Sequence, residues 1–535
     1  MTIQYHTSDS VSGPERAELV LPDGVTLVAD IYRPSAAGNY PVLLMRQPYG
    51  RAIASTVVLA HPAWYAQQGY IVVVQDVRGT GDSGGDFQPL LNDAADGAAT
   101  LDWAAALPGC TGKIGLYGFS YQAATQYLAI AGGGRQPDAI APAMGSWNPR
   151  QDWAYQSGAF RYELCVGWAL QMALIKARRL KDDAAIAAFS AAHTLAEIET
   201  ALLARPDLSH LQQWQQADAD HWPLIAAADL LRDDSLDIPA LHIGGWNDYL
   251  LAGTLSAHHA FAATNPRSSH LLIGPWAHIP WGPLAGVTDM GPEADFAVDR
   301  AQVAFFDFYL KGLGPRPVPV RSFDMGIRAW SSYQSWQEEQ PITLFLGSTG
   351  LAAAQTGDGR LQATLGPAGT DRFVSDSTRP APLVGGPIGT PPGFVDRRLA
   401  DARSDVAVYT LPALLRPLAL AGRCDVTICV DVDAEIFDLC ATLSLVTPDG
   451  GAHVLATGIV RHHGSGRHEL TIDLQAICAT VGRGCALRLS LQGAAFPAFE
   501  MPGAGSATSY CIHHGGARPS RLRLTPAPED HINGR

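Results

Sequence analysis

The pattern of hydrophobic and polar positions changes character twice along the chain. In the first third, apolar runs alternate with helical spacing. Residues 25–32 alternate and stop at Arg33-Pro34, residues 41–45 and 70–74 are continuous apolar runs, residues 93–107 repeat with helical spacing, and residues 139–144 read as another strand. Continuous short runs predict strands buried on both faces, and strands alternating with helices predict a parallel sheet covered on both sides. Near Trp147 this pattern ends. Residues 149–237 contain no convincing strand; 161–180 and 185–204 predict long helices, followed by 211–222 and 224–231. Strand signals return at 238–243 and 270–273 with a helix over 251–263 between them, and a helix over 301–310, stopped by Lys311-Gly312, closes the α/β part.

Beyond about residue 341 helices nearly vanish. Short strands at 342–346, 405–411, 425–432, 439–446, 452–460, 469–473 and 486–491 recur between Gly, Pro and Asp turns, with a long Gly/Pro loop over 385–394. That spacing predicts a β-sandwich of the jelly-roll kind. The expected organisation is an α/β-hydrolase core in two parts (1–148 and 238–340), a helical cap (149–237) and a C-terminal jelly roll (341–535).

A chain of 535 residues exceeds one hydrophobic core, which agrees with several domains. The net charge of −14 makes nucleic acid an unsuitable partner, because the phosphate backbone would be repelled. Met1 to Asp9 has neither a basic nor an apolar leader segment, and no apolar run reaches membrane-spanning length. A cytoplasmic protein with no membrane contact is expected. Eight cysteines without a Cys-x-x-Cys pair support neither a disulfide scaffold nor a zinc site, so no metal is expected.

The segment richest in chemistry is Gly115-Leu116-Tyr117-Gly118-Phe119-Ser120-Tyr121-Gln122-Ala123, a β-prone run, a glycine, a serine and then a small-residue helix. This is the layout of a nucleophile elbow, although Gln122 stands where Gly-x-Ser-x-Gly has its second glycine. A serine nucleophile needs a base and an orienting acid, in the order Ser, Asp, His along an α/β-hydrolase chain. Two later loops follow strands: Gly244-Gly245-Trp246-Asn247-Asp248 and Gly274-Pro275-Trp276-Ala277-His278. Asp248 and His278 thus fall at strand carboxyl ends, where open α/β sheets bind ligands. The rival histidines, His242 and His270, lie inside predicted strands. For the oxyanion, the Tyr121 N–H is one candidate donor, and the phenol of Tyr49, in the loop after 41–45, is the other.

Arg46-Gln47-Pro48-Tyr49, Asp76-Val77-Arg78-Gly79-Thr80-Gly81-Asp82-Ser83-Gly84-Gly85, Gly118-Phe119-Ser120-Tyr121, Gly245-Trp246-Asn247-Asp248 and Gly274-Pro275-Trp276-Ala277-His278 together resemble the CocE/NonD hydrolases, the superfamily of cocaine esterase, Xaa-Pro dipeptidyl peptidases and α-amino-acid ester hydrolases. The resemblance runs from about Leu19 to Phe499. The family's elbow carries its small residue three positions after the serine, where this chain has Ala123. The resemblance implies Ser120 as nucleophile, His278 as base, Asp248 as orienting acid, and the Tyr49 hydroxyl with the Tyr121 N–H as oxyanion hole; the two-step acyl transfer these residues would carry needs no metal or organic cofactor.

The cap entrance is rich in aromatics: Trp147, Trp153, Tyr155, Phe160, Tyr162 and Trp168. Trp147, Trp153 and Trp168 are the candidate pocket residues, for an apolar or aromatic acyl group. Asp152 and Glu163 are candidates to bind a substrate ammonium. The jelly roll is expected to close over the site and shape the pocket. The favoured activity is hydrolysis of a small ester or amide. A proline-specific dipeptidyl peptidase, an α-amino-acid ester hydrolase, a biosynthetic acyltransferase and a binding protein remain alternatives. The expected partner is a small-molecule substrate, with a homodimer left open.

Overall fold

The computed structural model describes residues 11–52, 56–335, 340–503 and 507–528, and the backbone of 532–533; Met1 to Asp9, read above for a leader segment, lie outside them. Two large sheets dominate the described residues. The first runs in spatial order Val11–Val20, Thr26–Pro34, Ile71–Asp76, Tyr40–Gln47, Cys110–Phe119, Ala139–Ala143, Ala240–Asn247, Ser269–Ala277, Val320–Asp324, Ala329–Tyr333 and Ile532–Asn533. Pairing is parallel from Ile71–Asp76 through Val320–Asp324. It is antiparallel towards both edges.

The continuous apolar runs have the cause predicted for them. Alternate residues of one strand enter different cores: Leu43, Met45, Val72 and Val74 pack on the side of Tyr65 and Phe306, whereas Val42, Leu44, Ile71 and Val73 pack on the side of Leu101, Tyr127 and Phe261. Helices Asp93–Ala105, Tyr121–Ala131 and Leu251–Thr264 therefore cover one face, and Pro62–Gln67 with Val298–Phe306 the other. The α/β part does not end at the helix over 301–310, as the sequence pattern implied. The chain returns after Gly312 to add Val320–Asp324 and Ala329–Tyr333 to the same sheet.

Between Ala139–Ala143 and Ala240–Asn247 the chain is mainly helical, with two departures from expectation. A small hairpin, Tyr155–Gln156 with Ala159–Phe160, precedes the helix Tyr162–Leu180. The single helix expected over 185–204 is two, Asp183–Ala191 and Leu195–Leu203. The break is set by a capping box in which Thr194 and Glu197 satisfy each other's backbone N–H groups.

The second sheet is all-β. Its longest strands, Leu418–Val432 and Gly466–Val481, pair antiparallel and far outrun the short segments read from sequence. The expectation missed Gly359–Gln362, Gly369–Asp376, Ala507–His514 and Arg521–Pro526. The architecture is an α/β-hydrolase core with an inserted helical cap and a C-terminal β jelly roll. The all-β part braces the cap: Phe496 stacks on Tyr162, Pro497 O accepts the Glu163 N–H at 3.2 Å, and Phe160 O accepts the Glu500 N–H at 3.0 Å.

Candidate active site

Ser120 stands between strand Cys110–Phe119 and helix Tyr121–Ala131 with φ 62° and ψ −125°, a left-handed conformation that costs a non-glycine residue energy and is kept where the surroundings enforce it. Gly118 is required by that turn: its φ is +135°, and a Cβ there would lie 2.5 Å from the Gln122 Cβ. Gln122 is buried, and its side-chain oxygen accepts the Phe119 N–H at 3.0 Å, so it holds the elbow closed from within. Ala123 packs towards Gly145, where any Cβ would come within 2.6 Å of the Ala123 methyl. The glycine this elbow lacks is supplied by the facing strand end.

Asp248 and His278 follow Ala240–Asn247 and Ser269–Ala277, which are parallel neighbours. Their two loops approach so closely that a Cβ on Gly245 would sit 2.3 Å from the Trp276 carbonyl oxygen. The Asn247 amide donates to Pro275 O at 2.8 Å and ties the loops together. The result is a continuous chain: Ser120 Oγ lies 2.9 Å from His278 Nε2, and His278 Nδ1 lies 2.8 Å from Asp248 Oδ1. A carboxylate only accepts, so Nδ1 carries the ring proton and Nε2 is free to take one. Asp248 is fully buried, and the buried Arg161 guanidinium faces it and Asp152. Burial pulls Arg161 below its ordinary range while the two carboxylates push it back up.

Tyr49 reaches the serine from the loop after Tyr40–Gln47. Its hydroxyl faces Ser120 and accepts the Trp168 Nε1–H at 3.2 Å. Burial pushes the phenol up to about 12, so it remains a donor throughout the neutral range. The loop is fixed by the motif around it: Gln47 accepts the Tyr49 N–H at 2.8 Å and donates to Asp76 at 3.3 Å, and Arg51 bridges Asp76, Asp30 and Asp82. Gly81 belongs to the same knot, since a Cβ there would fall 2.1 Å from the Asp76 carboxylate. The Tyr121 side chain points away, donating to Asp93 at 2.6 Å. Its backbone N–H opens the helix and has no intrahelical acceptor.

A cavity of about 360 Å³ opens above Ser120. One wall comes from the cap, where Trp153, Trp168 and Trp214 form a mutually packed cluster with ring centroids 4.9–5.2 Å apart, and residues of the α/β part such as Val57, Pro89 and Leu90 line the rest. Gln171, Ile175 and Ile225 complete the cap side. Trp214 was not singled out from sequence. It sits on a four-residue helix, Leu211–Trp214, and no motif marks it. A second residue missed by sequence reasoning is Tyr249, directly after Asp248: its ring lies 4.3 Å from the His278 ring and its hydroxyl faces Ser120.

Several expectations are corrected. Trp147 does not line the cavity; it packs edge-on against Tyr127 and beside Phe261, beneath the sheet. Tyr155, Phe160 and Tyr162 belong to the cap's interior. Asp152 is not free to meet a substrate. One oxygen accepts the Ser146 hydroxyl at 2.6 Å, and the other accepts the Trp147 and Asn148 N–H groups at 2.8 and 2.7 Å. Glu163 lies at the seam with the all-β part, accepting the Thr390 hydroxyl at 2.8 Å. Among the described residues no side chain after Ile279 lines the cavity, so the jelly roll supports the cap and does not shape the pocket directly.

The rival histidines lie in the sheet packing. His270 bonds to Val318 O and the Tyr309 hydroxyl, and burial lowers it to about 4; His242 is fully buried beside Tyr127 and is pushed well below its ordinary value. Among the described residues one cluster has metal-ligand chemistry, Asp431, Cys511 and His513 in the all-β part, with Asp431 already forked by Arg467. No helix among the described residues is long and apolar enough to cross a membrane.

The chain is similar to known proteins along most of its length. Residues 23–280 match the family model of the X-Pro dipeptidyl-peptidase (S15 family), and residues 315–523 match that of the X-Pro dipeptidyl-peptidase C-terminal non-catalytic domain. The chain is 32% identical over 488 residues to the cocaine esterase of Rhodococcus sp. (strain MB1 Bresler), covering 85% of this chain and 83% of that protein. Solved structures share the fold: an α-amino acid ester hydrolase (TM-score 0.79, 20% identity, 98% of each chain) and an aminopeptidase from a marine sediment archaeon of the Thaumarchaeota (TM-score 0.78, 21% identity, 96% of each chain). The protein is therefore a hydrolase of the serine esterase and peptidase type, and the chain belongs to the CocE/NonD family.

Proposed function

We propose that this protein is an esterase for small, uncharged, apolar acyl groups, working through an acyl-enzyme on Ser120. One observation carries the reading. The hydrogen-bonded chain Ser120–His278–Asp248 lies at the floor of a cavity whose described lining contains no carboxylate, lysine or arginine. Ser120 Oγ attacks the substrate carbonyl carbon as its proton passes to His278 Nε2, and Asp248 holds the ring tautomer and offsets the imidazolium charge. The Tyr49 hydroxyl and the Tyr121 N–H donate to the tetrahedral oxyanion. Collapse sends the Nε2 proton to the leaving alcohol, and water repeats the sequence to release the acid.

The aminopeptidase-like alternatives need an anionic partner for the substrate ammonium. The two carboxylates considered for it are engaged elsewhere, Asp152 in its own turn and Glu163 at the cap seam. The relative at 32% identity is named for an ester substrate, which favours the same branch. The test is turnover of p-nitrophenyl esters of rising acyl length beside alanyl-prolyl-p-nitroanilide, with Ser120→Ala as control. Ester cleavage that vanishes in the variant is expected. Preferential cleavage of the anilide would move the protein to the peptidase branch.

A further inference from the structure

Tyr249 is not required by the Ser–His–Asp arrangement, yet it is aimed at it. The turn after Ala240–Asn247 sends Asp248 behind the His278 ring and lays Tyr249 on the ring's face, centroids 4.3 Å apart and planes 35° apart. From there the phenol passes the imidazole and ends at Ser120, with the Tyr49 hydroxyl close enough to interact. Two phenols, on loops from two different strands, thus converge on one serine oxygen at the cavity floor.

The simpler role for such a residue is an aromatic cover over the histidine. A cover needs the ring only and would be served equally by phenylalanine. Here the hydroxyl faces Ser120 at the cavity floor, and the other groups acting on it are Asp248, Tyr49 and Arg161. The segment is also anchored from beneath. Arg161 is fully buried and donates from Nη1 to the Tyr249 carbonyl at 2.7 Å and to the Asp152 carbonyl at 2.8 Å.

We propose that Tyr249 is a further catalytic residue, its phenol O–H donating to the oxyanion beside the Tyr49 O–H and the Tyr121 N–H, with Arg161 as the positioning residue that pins its main chain. No proton is transferred in this role. The Tyr249 hydroxyl keeps its hydrogen while negative charge builds on the carbonyl oxygen and is withdrawn again on collapse. Donors aimed at a developing charge in a water-poor site act on the transition state, so they appear in kcat more than in KM. The inference rests on the esterase reading above.

The experiment compares wild type, Tyr249→Phe, Tyr249→Leu and Ser120→Ala on a series of esters with one acyl group and leaving alcohols of graded acidity. Tyr249→Phe is expected to lower kcat about 10²-fold at nearly constant KM, by the same factor along the whole series. Tyr249→Leu is expected to lose at least as much. Full activity of Tyr249→Phe with loss only in Tyr249→Leu would leave the ring as a cover and overturn the proposal. A loss in Tyr249→Phe that grows with leaving-group basicity would also overturn it, by assigning the phenol to the departing oxygen. Turnover by Ser120→Ala would sink the underlying esterase reading instead, whatever Tyr249 does.

Discussion

At the floor of the cavity, Ser120, His278 and Asp248 are held by main-chain geometry: a serine at positive φ, two loops in backbone contact at Gly245, and an amide strut from Asn247. At the walls, Trp153, Trp168 and Trp214 are held by one another, through ring contacts between short and long helices of the cap. The first kind of construction fixes individual atoms. The second fixes a volume and a polarity, and different side chains could meet that requirement. On the proposed esterase reading, the floor decides whether the reaction occurs, and the walls decide on which acyl group.

This contrast can be broken by substitution. The largest effect is expected at the floor: Asp248→Asn keeps the shape but leaves His278 in the wrong tautomer, and kcat should fall about 10⁴-fold with the thermal midpoint little changed. Tyr49→Phe removes one oxyanion donor and should cost about 10²–10³ in kcat. Trp168→Leu enlarges the pocket, and its main result should be a shift of the preferred acyl chain, on the order of tenfold in relative kcat/KM. Trp168 also donates to Tyr49, so it is the sharpest test of the division: a kcat loss as large as that of Tyr49→Phe would show that wall and floor are one unit. The smallest effect belongs to Asp152, beneath both. Burial raises its carboxyl from 3.8 to about 6, so the folded chain holds that proton more tightly than the unfolded chain does. Its contribution to stability should therefore fall as pH rises from about 4 to about 6, and Asp152→Asn should flatten that slope in chemical denaturation.

The same division governs what could be read from sequence. The floor is written in short local motifs, because strand, glycine and functional residue must follow in fixed order. The loops ending at Asp248 and His278 pointed to two residues that the structure brings into hydrogen-bond contact with each other and with Ser120. Gln122 looked like a flaw in the elbow, yet its amide closes the turn. The walls have no such grammar. Trp147 and Trp153 are six residues apart and equally aromatic, but one packs beneath the sheet and the other faces the cavity, and only tertiary packing separates them. Tyr249 was overlooked for a related reason, since its role depends on the direction of one turn. The jelly-roll strands were read too short because turn-forming and charged residues stand inside them: Gly422 and Arg423 in Leu418–Val432, and Gly466 and Arg467 at the start of Gly466–Val481.

The central claim is that Ser120 is the nucleophile and His278 the base that activates it. The most direct measurement is intact mass and peptide mapping after treatment with diethyl p-nitrophenyl phosphate, which transfers a diethylphosphoryl group to an activated serine with release of p-nitrophenol. The account predicts one adduct per chain, located on Ser120, with p-nitrophenol released in equal amount, and none in Ser120→Ala or His278→Ala. An adduct on another residue, or full labelling of the His278→Ala protein, would contradict it.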